Sequence, residues 1–509
     1  MSARQSIQWN LLANWLAHAG GLIVGFFLMP YVLRTLGDHS YGTWLFLSSF
    51  ASYAGLMYLG FGSTISRFIS DYHARHDWTR LNQLVNVSLA IYSLMGLLIC
   101  AIAVLLAVCV PWLKDWDGES LTQVRVVILL LGLNSALGMV GSVFGGVLHG
   151  IQRFDLERGI AMFGDLLRVG LTVLFLHQDW GLVTLAAIFL AITLYENISY
   201  VIVIRQRVPQ LKISLQYVRW SILKECWGFS AFALIGTLAN QLLYATDTIL
   251  IGCLLGPQAI VPYYIALRLV DFLRKPILQI GDVCMPKAGQ LNGLADLRSL
   301  QQLIDRGLLV AMFLAGGLFI GAWFFGDLLI VCWVGEKYLP SHQYLMILFG
   351  AQLIALPLAV TRSILFGMGH VRMPSLLSLL ESVLHLVLAV LFLWLWGLQG
   401  LAWSTAVPIV CIELGLLWPY TLRTLQLSLG RLARNILLPL AVPMTVLTVF
   451  SATVDTHWPD LRGWLALLMV AISGGGLLLL SLAMQWFFLA PDRFHRLTRR
   501  FGLTARNPA

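Results

Sequence analysis

Charge is what this chain has least of. Only 11% of its 509 residues are Asp, Glu, Lys or Arg, against roughly 25% in soluble globular proteins. Hydrophobic residues make up 59%, and the mean hydropathy is +0.82. A soluble fold is excluded, and length here counts membrane spans rather than soluble domains. The seven cysteines (Cys100, Cys109, Cys226, Cys253, Cys284, Cys332, Cys411) lie in or beside apolar runs, with no CxxC and no zinc-like His spacing. They read as small embedded hydrophobes, neither disulfides nor ligands. There is no HExxH, no P-loop and no dinucleotide signature. No metal, cofactor or ATP hydrolysis is expected. Gly141-x-x-x-Gly145-Gly146 and Gly474-Gly475-Gly476 lack a following Lys-Ser/Thr and read as close-packing surfaces. No signal peptide is expected: the apolar run Leu11 to Leu33 is too long, and no small-residue cleavage site follows. The longest outside loop, Pro111 to Thr122, is too small for a catalytic domain.

What is present is a succession of apolar stretches. At about 20 residues per crossing, the chain reads as an all-α integral membrane protein of about fourteen transmembrane helices. The expected spans are 9–33, 41–66, 83–110, 123–149, 159–177, 181–204, 226–253, 259–286, 303–333, 342–368, 375–397, 399–421, 432–453 and 463–490. With the N-terminus placed in the cytoplasm, the outside segments hold only Arg34, Lys114, Lys337 and Arg462, with Arg125 just inside a span. The remaining loop cations fall inside, a bias of about five to one that survives every alternation. Both termini are therefore expected to be cytoplasmic. The net charge of +9 is mostly a topology signal, and nucleic acid is not an expected partner.

Three anchors suggest an internal duplication at an offset of 219 positions. Leu36-Gly37 recurs as Leu255-Gly256, Gly62 as Gly281, and Gly150-x-x-Arg153 as Gly369-x-x-Arg372. Six spans intervene, so the halves would insert in the same direction. The expected organisation is two pseudo-symmetric six-helix bundles, 1–215 and 216–425, then two further helices over 426–490 and a basic cytoplasmic tail over 491–509.

The run Arg34-Thr-Leu36-Gly37-x-x-x-Tyr41-Gly42-x-Trp44, then Leu59-Gly60-Phe61-Gly62 and Arg67-Phe-Ile-Ser70, resembles the opening signature of polysaccharide-exporting flippases. These belong to the multidrug/oligosaccharidyl-lipid/polysaccharide (MOP) exporter superfamily. Leu255-Gly256 with Tyr263 and Pro286 resembles the corresponding stretch of the second bundle. The resemblance implies a transporter, not an enzyme, in a bacterial cytoplasmic membrane. It would move a lipid-linked oligosaccharide by alternating access, with membrane lipid, other polysaccharide-assembly membrane proteins and a coupling proton or sodium as partners. One departure matters: where the family often carries Asp before Leu-Gly in the second helix, this chain has Tyr58. The two extra helices resemble those that the family implies form a groove for a lipid tail in lipid II flippases.

The candidate site centres on the eighth span, Tyr263 to Lys287, which carries Arg268, Asp271, Arg274, Lys275 and Asp282. A charge at the bilayer centre costs about 2.5–3.5 kcal/mol, so such residues face protein or a watery path. At about 100° per residue, Tyr264, Arg268, Asp271, Lys275, Gln279 and Asp282 share one stripe, with Arg274 off it near Asp271. A kink is expected at Pro276. The stripe is either a structural ion-pair ladder or the lining of a path whose Arg and Lys donors suit a pyrophosphate. Arg362 is a second headgroup candidate. Asn10, Asn14 and His18 recur every four residues on the first span, as interhelical glue or as cleft lining. Asp165 and Arg168 can pair locally. Asp247, on a face with Asn240 and Tyr244, is a candidate proton or cation site, as are Asp271 and Glu381 with His385 one turn on. Glu196 and Glu413 lie within apolar runs. A multidrug antiporter would want an acidic, aromatic cavity instead, and a membrane polymerase a sizeable outside loop.

Overall fold

The computed structural model describes residues 3–58, 61–113, 120–177, 181–219, 221–222, 238, 241–242, 245–458 and 461–489, with side chains from 20 onward except 22, 61–64, 113 and 485–489. Among the described residues the regular elements are helices, and no strand occurs. Eight helical stretches there are long and apolar enough to cross a membrane by length and composition.

Helix α1 (Ala3–Ser52) turns sharply at Gly37, where φ is 77° and ψ 171°. A side chain rarely tolerates that backbone, and glycine enters it cheaply. Its second arm runs into a 3-10 segment, Tyr53–Tyr58, before α2 (Phe61–Ala74). The expected span 41–66 is thus broken. Ser49 and Ser52 donate to the carbonyls three residues back, Phe46 and Ser49, each at 2.6 Å. Such back-bonding competes with the α-helical ladder, and the Tyr53 hydroxyl is held by Thr246 Oγ1 at 2.6 Å.

Then follow α3 (Trp78–Leu113), α4 (Leu121–Gly150), α5 (Phe154–Phe175), α6 (Gly181–Arg207) and α7 (Thr246–Leu254). Most of the expected seventh span lies outside the described residues. Beyond it come α8 (Ile260–Gly293), α9 (Leu297–Trp333) and α10 (Ser341–Gly367). Helix α11 (Arg372–Ile412) bends back at Gly397 (φ 59°) and so covers two expected spans. A Cβ on Gly400 would lie 2.0 Å from the Phe392 carbonyl oxygen, so the two arms close tightly. A π-helical turn, Glu413–Leu417, leads into α12 (Trp418–Thr424). A short α13 (Leu429–Leu432), a second π turn (Ala433–Leu437), α14 (Leu438–His457) and α15 (Gly463–Leu489) complete the described chain.

The chain forms two compact units, Met1–Val261 and Pro262–Ala509. In the first, α7 runs antiparallel to the second arm of α1. A Cβ on Gly42 would fall 2.0 Å from the Pro257 carbonyl oxygen, and one on Gly252 would strike Phe46. These contacts carry residues 246–261 into the first unit.

Within each unit the same turns recur. His76 (φ 56°) and Ala295 (φ 53°) are left-handed, 219 positions apart. At the same interval Asp77 Oδ1 accepts from the Arg80 amide and Asp296 Oδ1 from the Ser299 amide, both at 3.0 Å. The amide of each Asp in turn donates to the carbonyl five residues back, Tyr72 at 2.9 Å and Leu291 at 3.1 Å. Gly37 and Gly256 match likewise, with ψ 171° and 163°. The third anchor needs correction. Left-handed Gln152 (φ 60°), not Gly150, corresponds to Gly369 (φ 88°), an interval of 217. Arg153 and His370 then make the same 2.9 Å bond to Leu148 and Leu365. The second half is two residues shorter between these turns.

Each unit also clasps the segment that follows its sixth helix. Asn82 and Asn86, one turn apart on α3, hold 210–214 by their backbone. Asn82 donates to the Gln210 carbonyl (3.1 Å) and accepts from the Lys212 amide (2.9 Å). Asn86 donates to the Lys212 carbonyl and accepts from the Ser214 amide, both at 2.8 Å. The residues 219 positions on are Gln301 and Asp305 of α9. Gln301 donates to the Leu425 carbonyl at 2.9 Å and accepts from Arg431, while Asp305 receives Arg431 at 3.0 and 3.1 Å and Asn435 at 2.9 Å.

Candidate functional site

Helix α8 runs unbroken through Pro276 and Pro286. Arg268, Asp271, Arg274 and Lys275 are all partly buried, while Asp282 is exposed. Asp271 pairs with Arg274 Nε at 3.1 Å. Arg268 lies over the Phe272 ring at 5.4 Å, a cation–π contact. Within 268–275 three cations therefore face one carboxylate, and the ion pair satisfies only the cation that stood off the stripe. Among the described residues, no group of three or more His, Cys, Asp or Glu could hold a metal ion.

A second group forms where α10, α11 and the π turn meet. Arg362 donates to Ser378 Oγ at 2.7 Å, binds Glu413 closely, and lies 3.8 Å from Glu381. Glu381 and Glu413 are nearly inaccessible, and His385, fully buried, has Thr405 Oγ1 at 3.5 Å. Two buried acids thus share one guanidinium. The π turn begins at Glu413 itself, a distortion frequent at functional sites. Arg362, expected to meet a headgroup, here serves these acids.

The first unit holds a related group. Glu196 of α6 lies 217 positions before Glu413, the interval of the later turns. Its Oε1 would be 2.9 Å from a Cβ on Gly164, the counterpart of Glu381. Arg168, the counterpart of His385, pairs with Asp165 at 3.3 Å and lies over the Phe189 ring at 5.0 Å. The counterpart of Arg362 is Gly145. The sequence places both glutamates within apolar runs without connecting them; the interval of 217 was the missing signal.

Asp247 is buried in the first turn of α7, beside the Thr246 that binds Tyr53. Asn240 and Tyr244 lie outside the described residues. Asn14 and His18 are carried by α1, and their side chains also lie outside. Of the signature residues, Gly37 and Gly42 make the turn and the close approach, Tyr41 is buried, and Leu36 packs against Gly181. Arg34 and Arg67 are exposed, Gly62 lies in α2, and Gly60 is outside the described residues.

The family described as Polysaccharide biosynthesis protein matches residues 9–304, and the MatE family matches 233–391. Among solved structures, the inward closed conformation of the lipid II flippase MurJ is similar with a TM-score of 0.71 at 12% identity, over 94% of this chain and 99% of that one. An inward-facing multidrug resistance MATE family transporter of the MOP superfamily gives 0.66 at 17% identity, over 82% and 95%. An outward-facing MATE family transporter gives 0.56 at 15%, over 83% and 94%. Comparison with curated protein sequences finds no match.

Proposed function

Because the chain belongs to the polysaccharide biosynthesis protein family and has the fold of the MOP superfamily, we propose that it translocates a lipid-linked oligosaccharide across a bacterial cytoplasmic membrane for surface polysaccharide assembly. The observation that carries this reading is the cationic excess on α8: Arg268, Arg274 and Lys275 against Asp271, all partly buried on the helix that the sequence assigns to the eighth span. A polyprenyl-pyrophosphate brings about two negative charges, and guanidinium and ammonium donors offset its desolvation. At about 2.3 kcal/mol per charge per 100 mV, an outside-positive potential draws that headgroup outward.

In this reading the bundles 1–215 and 216–425 alternate access, and both termini are cytoplasmic. Asn14 and His18 contribute polar lining. The acids Glu381 and Glu413, with Asp247, are the places where a proton or sodium ion would couple, and His385 beside Glu381 would relay the proton.

One observation favours a second reading. Two buried acids around one Arg362 form the acidic group that a cation-coupled multidrug antiporter would use, and the MatE family match, 233–391, covers Arg362 and Glu381. Purified protein in vesicles, offered a labelled lipid-linked glycan or an organic cation under an ion gradient, separates the two. Glycan translocation with no cation efflux supports the flippase; cation efflux with no glycan movement replaces it.

A further inference from the structure

The first unit contains a cavity of about 390 Å³ that the cationic helix does not touch. It is walled by residues 46–57 of α1 and its 3-10 continuation, 99–110 of α3, 128–135 of α4, and Cys253 of α7. Its size falls within the range of about 300–1,000 Å³ typical of ligand sites. The lining is aliphatic and aromatic apart from Ser135, the Cys253 thiol and Tyr53, whose hydroxyl is already engaged by Thr246. Water gains little there, since a buried water needs two or more polar partners.

Three observations identify the occupant. Two of the four walls, α3 and α4, are among the helices long and apolar enough to cross a membrane, so a ligand arrives from the bilayer. Phe50, Ile102 and Cys253 line the cavity and are also exposed, so it opens at the surface of the unit, on the face of α3 that also carries exposed Leu98 and Leu105. The α1 wall is where the helix gives way to the 3-10 segment Tyr53–Tyr58, and irregular backbone at membrane depth persists where it is buried in protein or lines a cavity. The chain bends to make this space.

Depth sharpens the assignment. Except for the α1 wall, which lies at the end of its second arm remote from Gly37, the wall residues lie toward the helix ends that adjoin the α3–α4 connection and Gly256. In the expected topology these are the outer ends. We infer that this cavity is a binding site for a polyprenyl tail, occupied in the outer half of the membrane by the carrier lipid whose headgroup has crossed. The inference rests on the flippase reading for the identity of the tail, and it assigns the product-side lipid contact to the first unit.

The test uses the full chain in vesicles, with polyprenyl phosphate carrying a diazirine in its tail and adducts mapped by mass spectrometry. Adducts are expected at Phe50, Met57, Ile102 and Cys253, reduced at least fivefold by unlabelled polyprenyl phosphate. Ser135→Phe and Ala51→Phe, which fill the space, should reduce them similarly. Leu133→Phe, on the exposed side of α4, should not. If the filling variants fail to fold, competition on the wild-type chain decides alone. Adducts confined to the exposed α3 positions Leu97 and Leu105 would overturn the site. Equal, non-displaceable labelling by a tail-diazirine phospholipid would overturn the assignment to a polyprenyl tail. Glycan translocation measured on the same vesicles separates the two claims: transport without cavity adducts sinks the site and leaves the flippase reading standing, whereas displaceable adducts without transport do the reverse.

Discussion

Glu196 of the first unit and Glu413 of the second occupy corresponding positions on the sixth helix of each half, yet their surroundings differ. Around Glu196 the counterparts of Arg362 and Glu381 are Gly145 and Gly164, and the nearby charge is Arg168, itself paired to Asp165. Around Glu413 an arginine and a second acid have been added, and the helix widens to a π turn. The clasps differ in the same direction. Neutral Asn82 and Asn86 bind backbone, where Gln301 and Asp305 bind an arginine. One plan therefore serves two purposes: the clasp of the first unit is made by neutral Asn82 and Asn86, and the second unit gathers buried charge around Arg362 and Asp305.

The two units differ most at Arg362. Removing it with Arg362→Ala leaves two buried acids without their cation, at a cost of about 3–5 kcal/mol, seen as a large fall in thermal unfolding temperature in detergent. Arg168→Ala should cost under about 1 kcal/mol, because its pair with Asp165 is partly exposed. Equal losses would remove the distinction between the units.

The clasps come next. Asp305→Ala strands Arg431 and Asn435 and should destabilise by about 2–3 kcal/mol. Asn82→Ala, which frees one carbonyl and one amide, should cost about 1–2 kcal/mol and raise hydrogen exchange in 208–214. Exchange unchanged in that segment would show that the linker is held by other contacts.

At Gly37 and Gly256 the shared backbone predicts equal penalties. Alanine at either strains a conformation nearly restricted to glycine, at about 1–3 kcal/mol. A loss at only one of them would mean that the turns are alike in shape but not in load.

The smallest effect concerns the Asp296 cap. Hydrogen bonds from Ser299, first its hydroxyl and then its amide, hold the Asp296 carboxyl below the usual carboxylate range. A depressed value contributes stability above the unfolded value of about 4 and loses it as pH falls through the folded one. The unfolding-temperature gap between wild type and Asp296→Ala should therefore narrow on acidification from pH 7 to 3. A gap constant over that range would contradict the cap.

Much of this was legible in the sequence. Apolar length marked the helices, and the charges on α8 stood out against their apolar surroundings. Of the three glycine anchors only Gly37 and Gly256 disclosed a shared turn; Gly62 and Gly281 lie inside helices, and the third turn falls on Gln152 and Gly369. Neighbours across helices were not legible. Periodicity fixes which face a residue occupies, not which helix meets that face, so the closure of Arg362 on Glu413 and of Asn82 on 210–212 appeared only in three dimensions. The broken second span was hidden because Ser49 and Ser52 read as ordinary helix residues until their hydroxyls were seen on the carbonyls behind them. The slip from 219 to 217 concealed the relation between the two glutamates.

The central claim is that the cations of α8 receive an anionic, lipid-linked headgroup. The most direct measurement is glycan translocation in vesicles by wild type, Arg268→Gln and Lys275→Gln, at matched protein insertion, with and without an imposed potential. At least a tenfold loss is expected in each variant, with faster wild-type translocation when the potential draws anions across. Rates unchanged by both substitutions would show that the charges on α8 only hold helices together.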